Sequence, residues 1–304
     1  MAFHVPCDQF DSILLQLNVF PHLVSVYNCV KQYSTGQIDD CTVELFGYPK
    51  TDPVIWLVVK KHHHSLPSFV IQATTEDKDS IAKGVYAFLD ITKETILAMD
   101  ALQFVASEEI TRNIKKEFEA MGTHPFITCN DPYTMFYMTK EQCRKLMSED
   151  ITLPEGFCFV KLDAEKDGAM IIEQMLYAGE GDLEQAKSRI DSMPTVGVRQ
   201  QESGRTVCFE YNNGYGHITH LFTFPEFRGL GLGTAAELKL CQEVLEKLKI
   251  TPVKQVSRCR PRVIAMSKKS PYWTAYQDSN GSEMLGYYTT LQKYEAKVFQ
   301  MIEN

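Results

Sequence analysis

The run FPEFRGLGLGTAAELKL, Phe224 to Leu240, sets glycines at 229, 231 and 233 between an aromatic, strand-like segment and a segment of helical periodicity. A glycine-rich turn from strand to helix brings backbone N–H groups to a helix N-terminus, where they can bind phosphate. The surroundings must say which phosphate. A P-loop needs Lys then Ser or Thr after its last glycine, but Gly233 is followed by Thr234 and Ala235. Gly231 to Ala236 satisfies G-x-G-x-x-A, the dinucleotide fingerprint. However, Pro225 to Arg228 separate it from its strand, the next strand PVKQVS carries no acid to hold a ribose, and about seventy residues remain for the rest of a doubly wound sheet. The remaining reading is Arg228-Gly229-Leu230-Gly231-Leu232-Gly233 as R-x-x-G-x-G.

Outward from this turn the second half has a regular grammar. FCFVKL (157–162) reads as a strand, and DAEKDGAMIIEQMLYAG and DLEQAKSRIDSM as two helices around Gly179 to Gly181. TVGVRQ and TVCFEY form a hairpin across QESG, and 216–224 is a further strand. After the turn, Ala235, Leu238, Cys241, Leu245 and Leu248 line one helix face while Glu237, Lys239, Glu243 and Glu246 point outward, and PVKQVS begins another strand. The first half reads as an amphipathic helix over 10–32, strands near 42–45, 54–60 and 68–73, mostly helix from 77 to about 118, and a helix after Thr139. SEDITLPEG (148–156), polar with Pro and Gly, marks a linker, so the expected domains are 1–150 and 151–304.

R-x-x-G-x-G after the fourth strand of a β-α-α-β-β-β-α-β order resembles the acyl-CoA-binding motif of the Gcn5-related N-acetyltransferase (GNAT) superfamily. HLFTFPEFRGLG, MPTVGV, DLEQAKSRIDSMP and YPKTDPVIWLVV are similar in order and spacing to the animal glycine N-acyltransferase-like family. This resemblance implies an α/β protein of two tandem GNAT-like domains, with mixed central sheets flanked by helices, the N-terminal one degenerate and the C-terminal one catalytic. It implies transfer of an acyl group from acyl-CoA, as co-substrate, to the amine of glycine or another small amino acid. The backbone of Arg228, Gly229, Leu230, Gly231, Leu232, Gly233 and Thr234 would bind the coenzyme A pyrophosphate, and Leu221, Phe222 and Thr223 the pantetheine. The family's carboxylate base aligns with His217, which can also accept a proton near neutral pH. Glu226 is a reserve base, and Tyr272, in SPYWTAYQ, stands for the superfamily's tyrosine acid. Strand alternation places His220 on the face opposite His217. If position 217 no longer serves as base, the alternative is a non-catalytic acyl-CoA-binding protein.

The rest of the composition sets bounds. The chain has 304 residues, 44% hydrophobic and 23% charged, enough for a large buried core. Its longest apolar run, Val54 to Val59, is too short to cross a bilayer, so no membrane partner is expected. A net charge of −8 argues against general affinity for nucleic acid. Lys254, Arg258, Arg260, Arg262, Lys268 and Lys269 nevertheless form a basic stretch without acids between 252 and 275, suited to an anionic ligand. No basic residue precedes Lys31, so neither a secretory nor an Arg-rich transit signal shows, and an intracellular protein, cytoplasmic or mitochondrial, is expected. Nine cysteines without close pairs read as free thiols, and His62, His63 and His64, with no second cluster, as no metal site. Oligomeric state is not legible.

Overall fold

The computed structural model describes residues 1–38, 40–175 and 178–294. In chain order the elements are β1 (Phe3–Val5), α1 (Phe10–Leu17), α2 (Val24–Ser34), β2 (Cys41–Tyr48), β3 (Ile55–His62), β4 (Ser68–Ala73), α3 (Lys78–Ile91), α4 (Lys93–Ala98), β5 (Ala101–Ser107), α5 (Glu108–Met121), β6 (Phe126–Tyr137) and α6 (Lys140–Met147). Then follow β7 (Phe157–Val160), α7 (Ala164–Glu173), α8 (Asp182–Ser192), β8 (Thr195–Gln200), β9 (Thr206–Asn212), β10 (Ile218–Thr223), α9 (Leu232–Glu243), β11 (Val253–Ser257), α10 (Pro261–Lys269), β12 (Thr274–Ala275) and β13 (Leu285–Gln292).

Local chemistry explains the boundaries. Thr139 and Gln142 form a reciprocal capping box that starts α6. Gly122, at φ 65°, ends α5 in the left-handed conformation. The continuous apolar run of β3 is buried along its first six residues, as befits a central strand covered on both faces. The expected helix over 10–32 is two helices, because Pro21 lacks the N–H that a continuous helix needs there. The helical expectation over 77–118 missed β5, whose apolar residues Leu102, Phe104, Val105 and Ala106 are buried on both faces of the sheet. Leu176 and Tyr177, within the helix expected over 163–179, lie outside the described residues.

Two sheets result. The larger runs β1-β2-β3-β4-β5-β13-β6-β11, with β12 also paired to β6, and the smaller runs β10-β9-β8-β7. All the paired strands are antiparallel except β4 and β5, which are parallel. Residue 150 falls between α6 and β7, yet hydrogen bonding crosses it: β11 and β12 pair with β6, and β13 is inserted between β5 and β6. The larger sheet buries one face under α2, around Val26, Val30, Trp56 and Val58. Its other face packs under α3 and α5, around Leu57, Phe88, Phe104 and Phe118. The smaller sheet has α9 on one side, with Val198, Cys208, Ile218 and Leu240, and α7 and α8 on the other, with Ile171, Ile190, Phe209 and Tyr211.

Candidate active site

The sheets meet where β10 and β11 touch. A single parallel bridge joins His217 to Val253, and the Val253 N–H donates to the Gly216 carbonyl at 3.3 Å. Beyond it β10 pairs only with β9 and β11 only with β6, so the two strands part and the facing edge of each is unpaired among the described residues. A wedge opens from this bridge. Along β10 the register shifts between Thr219 and Phe222, and His220 takes φ 57°. This bulge overturns the alternation expected for the two histidines. His220 stacks on Tyr211 (ring centroids 5.1 Å, 14° between planes) and Phe222 on Phe209, both on the α7–α8 side. By alternation alone His220 would face α9 with Ile218.

The wedge runs into the glycine turn. Pro225–Phe227 make one tight turn, and Gly229 (φ 83°) and Gly231 (φ 79°) lie in the left-handed region, with nothing within 4 Å of an added Cβ. Gly231 caps α9, and no side chain bonds its first turn. Among the described residues the N–H groups of Gly229 to Thr234 donate to no protein acceptor, whereas that of Ala235 reaches the Gly231 carbonyl at 3.1 Å. A Cβ at Gly233 would meet Thr223 Oγ1 at 3.2 Å, so its absence lets α9 approach β10. The turn is held from behind: Arg205 pairs with Glu226 at 2.7 Å and covers the Phe224 ring at 4.3 Å, and Arg228 Nε donates to the Thr223 carbonyl at 2.9 Å. Half of the Glu226 side chain is exposed, and its carboxyl is pulled below the usual range by its own backbone N–H and by Arg205. It anchors the loop.

His217 is 3% exposed at the root of the wedge. Its Nε2 lies 2.8 Å from Ser25 Oγ, on α2. Gln72 Oε1 accepts the N–H groups of Ser25 and Val26 at 2.9 and 3.0 Å, which turns its amide nitrogen toward Ser25 Oγ at 3.3 Å. Ser25 Oγ thus accepts from Gln72 and has its own proton to donate to His217 Nε2. That leaves the imidazole proton on Nδ1, which is buried without a partner. Burial pushes the His217 pKa down to about 4, partly offset by the nearby Gln255 side chain. His220 is also held at about 4, first by burial and then by the charges of Arg189 and Arg260. Both rings are neutral at pH 7.

Tyr272 stands elsewhere. Its ring lies 5.2 Å from Lys145 Nζ on α6, and its N–H donates to Ser270 Oγ. Burial raises its pKa, assisted by Glu149. Tyr276, its neighbour in sequence, is buried with its hydroxyl 2.7 Å from His22 Nδ1. Part of the basic stretch is engaged: Lys254 is buried against Glu237 at 2.5 Å, and Arg258 and Lys268 both reach Glu283. Arg260, Arg262 and Lys269 have no ion-pair partner among the described residues. Glu237, expected on the outer face of its helix, turns inward and also accepts from Trp273 Nε1 at 2.9 Å. Glu210 on β9 lies with this group, buried, with Oε2 unpartnered and its pKa raised well above the usual carboxylate range by desolvation and then by Glu237. Its one signal in the sequence is an acid inside an apolar strand.

No family model matches the chain, and no curated protein sequence matches it. Solved structures do. A Drosophila protein of known crystal structure superposes with a TM-score of 0.75 at 16% identity, over 95% of this chain and 98% of that one. A putative acetyltransferase from Pyrococcus horikoshii gives 0.52 at 12% identity over 97% and 89%. A tandem GNAT protein from the clavulanic acid biosynthesis pathway gives 0.50 at 12% identity over 98% and 100%. At these identities the likeness establishes the fold: tandem GNAT-like units, mixed sheets flanked by helices.

Proposed function

We propose that the protein is an acyl-CoA-dependent N-acyltransferase acting on a small amine; glycine or another amino acid is the acceptor implied by the resemblance to the glycine N-acyltransferase-like family. The observation that carries this reading is the wedge between β10 and β11, ending in a turn whose N–H groups from Gly229 to Thr234 have no protein acceptor. That turn suits a pyrophosphate at a helix N-terminus. The free edge of β10 at Leu221, Phe222 and Thr223 suits the pantetheine amides, as in strand addition. The thioester would then lie near the bulge, where the backbone at His220 departs from the ladder.

In this reading the amine nitrogen attacks the thioester carbonyl carbon, the C–S bond breaks, and the proton lost by nitrogen ends on the coenzyme A sulfur. His217 takes that proton first, through Ser25: the hydroxyl passes its own proton to Nε2 as it receives one from the amine. Neither Glu226, exposed and ion-paired, nor Tyr272, turned toward α6, stands at the wedge root, so His217 is the base candidate that the geometry favours. A pKa near 4 makes it a weak base in the free protein, and this favours the second reading, a protein that binds acyl-CoA without catalysis. Coenzyme A release measured over a panel of acyl-CoAs and amines separates the two. Release with at least one amine supports the enzyme; tight acyl-CoA binding with no release from any pair supports the binding protein.

A further inference from the structure

A cavity of about 330 Å³, at the lower end of the range for pockets that take small organic ligands, is lined mainly by the first half of the chain and completed by Gln255, Tyr276 and the start of β13. It lies where β4 and β5 end. β4 leads into α3 beside the parallel strand β5, as β10 leads into α9 beside β11, although the first pair is hydrogen-bonded from Ser68 to Ile71 and the second shares one bridge, so the cavity is the topological counterpart of the wedge. It is not a second coenzyme site. Asp77 caps α3 and accepts from the Ser80 N–H at 2.8 Å, so a carboxylate stands where a pyrophosphate would bind. Nor is the cavity remote from the first site. Ser25, the partner of His217, lines it, and so does Gln255 of β11, one of the two strands that form the wedge.

We propose that this cavity is the acceptor pocket and that it takes a primary amine on an apolar body larger than glycine. The assignment rests on the acyl-transfer reading and names the amine class. Its floor is apolar and aromatic, with Val70, Val105, Tyr133 and Met135 buried against it. Glycine alone would fill little of this volume. Of the two lysine or arginine side chains that line it, Arg112 is taken by Glu108 and Glu109, which leaves Lys78 as the one without an ion-pair partner among the described residues. Glu76 and Asp278, which also accept hydrogen bonds from the 279–282 turn, line the cavity with Lys78, so carboxylates outnumber lysines there, which suits the approach of a protonated amine. Ser25 then meets the nitrogen at the inner end, where the proton must leave.

The test measures binding apart from turnover. Benzylamine and glycine are titrated calorimetrically into the full chain and into Ala73→Phe and Met284→Trp, two half-buried lining positions outside the proton path; coenzyme A affinity is measured for each. Benzylamine should bind the wild type more tightly than glycine and weaken at least tenfold in either filled variant, with coenzyme A affinity unchanged. Either variant alone suffices if the other does not fold. Benzylamine that does not bind, binds no better than glycine, or is indifferent to both substitutions overturns the assignment. Benzylamine lost on filling, but with no coenzyme A released from any amine, would keep the cavity as an amine site and overturn the acyl-transfer reading instead.

Discussion

His217 is the residue on which chemistry and stability meet. If it takes the amine proton, His217→Ala should lower turnover by roughly 10²- to 10⁴-fold and leave acyl-CoA affinity nearly intact, since the loss lies in proton transfer. An active protein whose rate ignores this change would transfer the role to an ordered water or another group. Stability gives a second readout. The folded chain keeps His217 neutral down to about 4, whereas the unfolded chain protonates it near 6.5. Between those values the unfolded state binds more protons, so this contribution is complete above pH 6.5 and is lost as pH falls toward 4. His220, with the same depression, adds to the same window. Urea midpoints measured from pH 4 to 7 should therefore rise with pH, and His217→Gln should flatten that slope by about one proton's worth. An equal slope in the variant would mean that the imidazole is not held neutral.

At the scale of elements, the turn between β10 and α9 can be tested through backbone alone. Gly231→Ala adds a methyl group with open space around it, but at φ 79° an L-residue is strained by about 1–2 kcal/mol. The turn should relax away from its present course, and acyl-CoA affinity should fall while far-ultraviolet circular dichroism stays the same. Undiminished affinity would mean that the turn is not the phosphate cradle.

This same turn was the most legible part of the chain. Three glycines, an arginine and the following periodic helix define it locally, and local signals survive in sequence. Much of the second half's element order was legible for the same reason. The bulge was not. Nothing in ITHLFT distinguishes a regular strand from one in which His220 turns over, because the extra residue shows only against the register of β9. Glu237 was misassigned to the outer face because its partner, Lys254, lies on another element and helical periodicity cannot show it. Ser25, separated by 192 residues from His217, was equally invisible. The base candidate could be read from the strand, but its partner comes from across the molecule.

For the whole molecule, the decisive feature is strand exchange across residue 150. β11 lies on β6, and β13 pairs with β6 from Leu285 to Gln292 and with β5 from Gly286 to Gln292. A fragment of residues 151–304 would leave these strands without partners, so it should neither fold cooperatively nor bind acyl-CoA, and the intact chain should unfold in one transition. A folded, acyl-CoA-binding fragment would show that the wedge needs nothing from the larger sheet. The position of β13 also has a consequence for biosynthesis. On the ribosome the strands of the first half emerge long before residues 285–292, and until then β5 and β6 each present a bare edge of the kind that recruits other chains. Both edges therefore stay open until residues 285–292 emerge. A stop codon at position 285 would leave the glycine turn and both histidines in place, yet it should yield aggregate rather than a shortened folded protein.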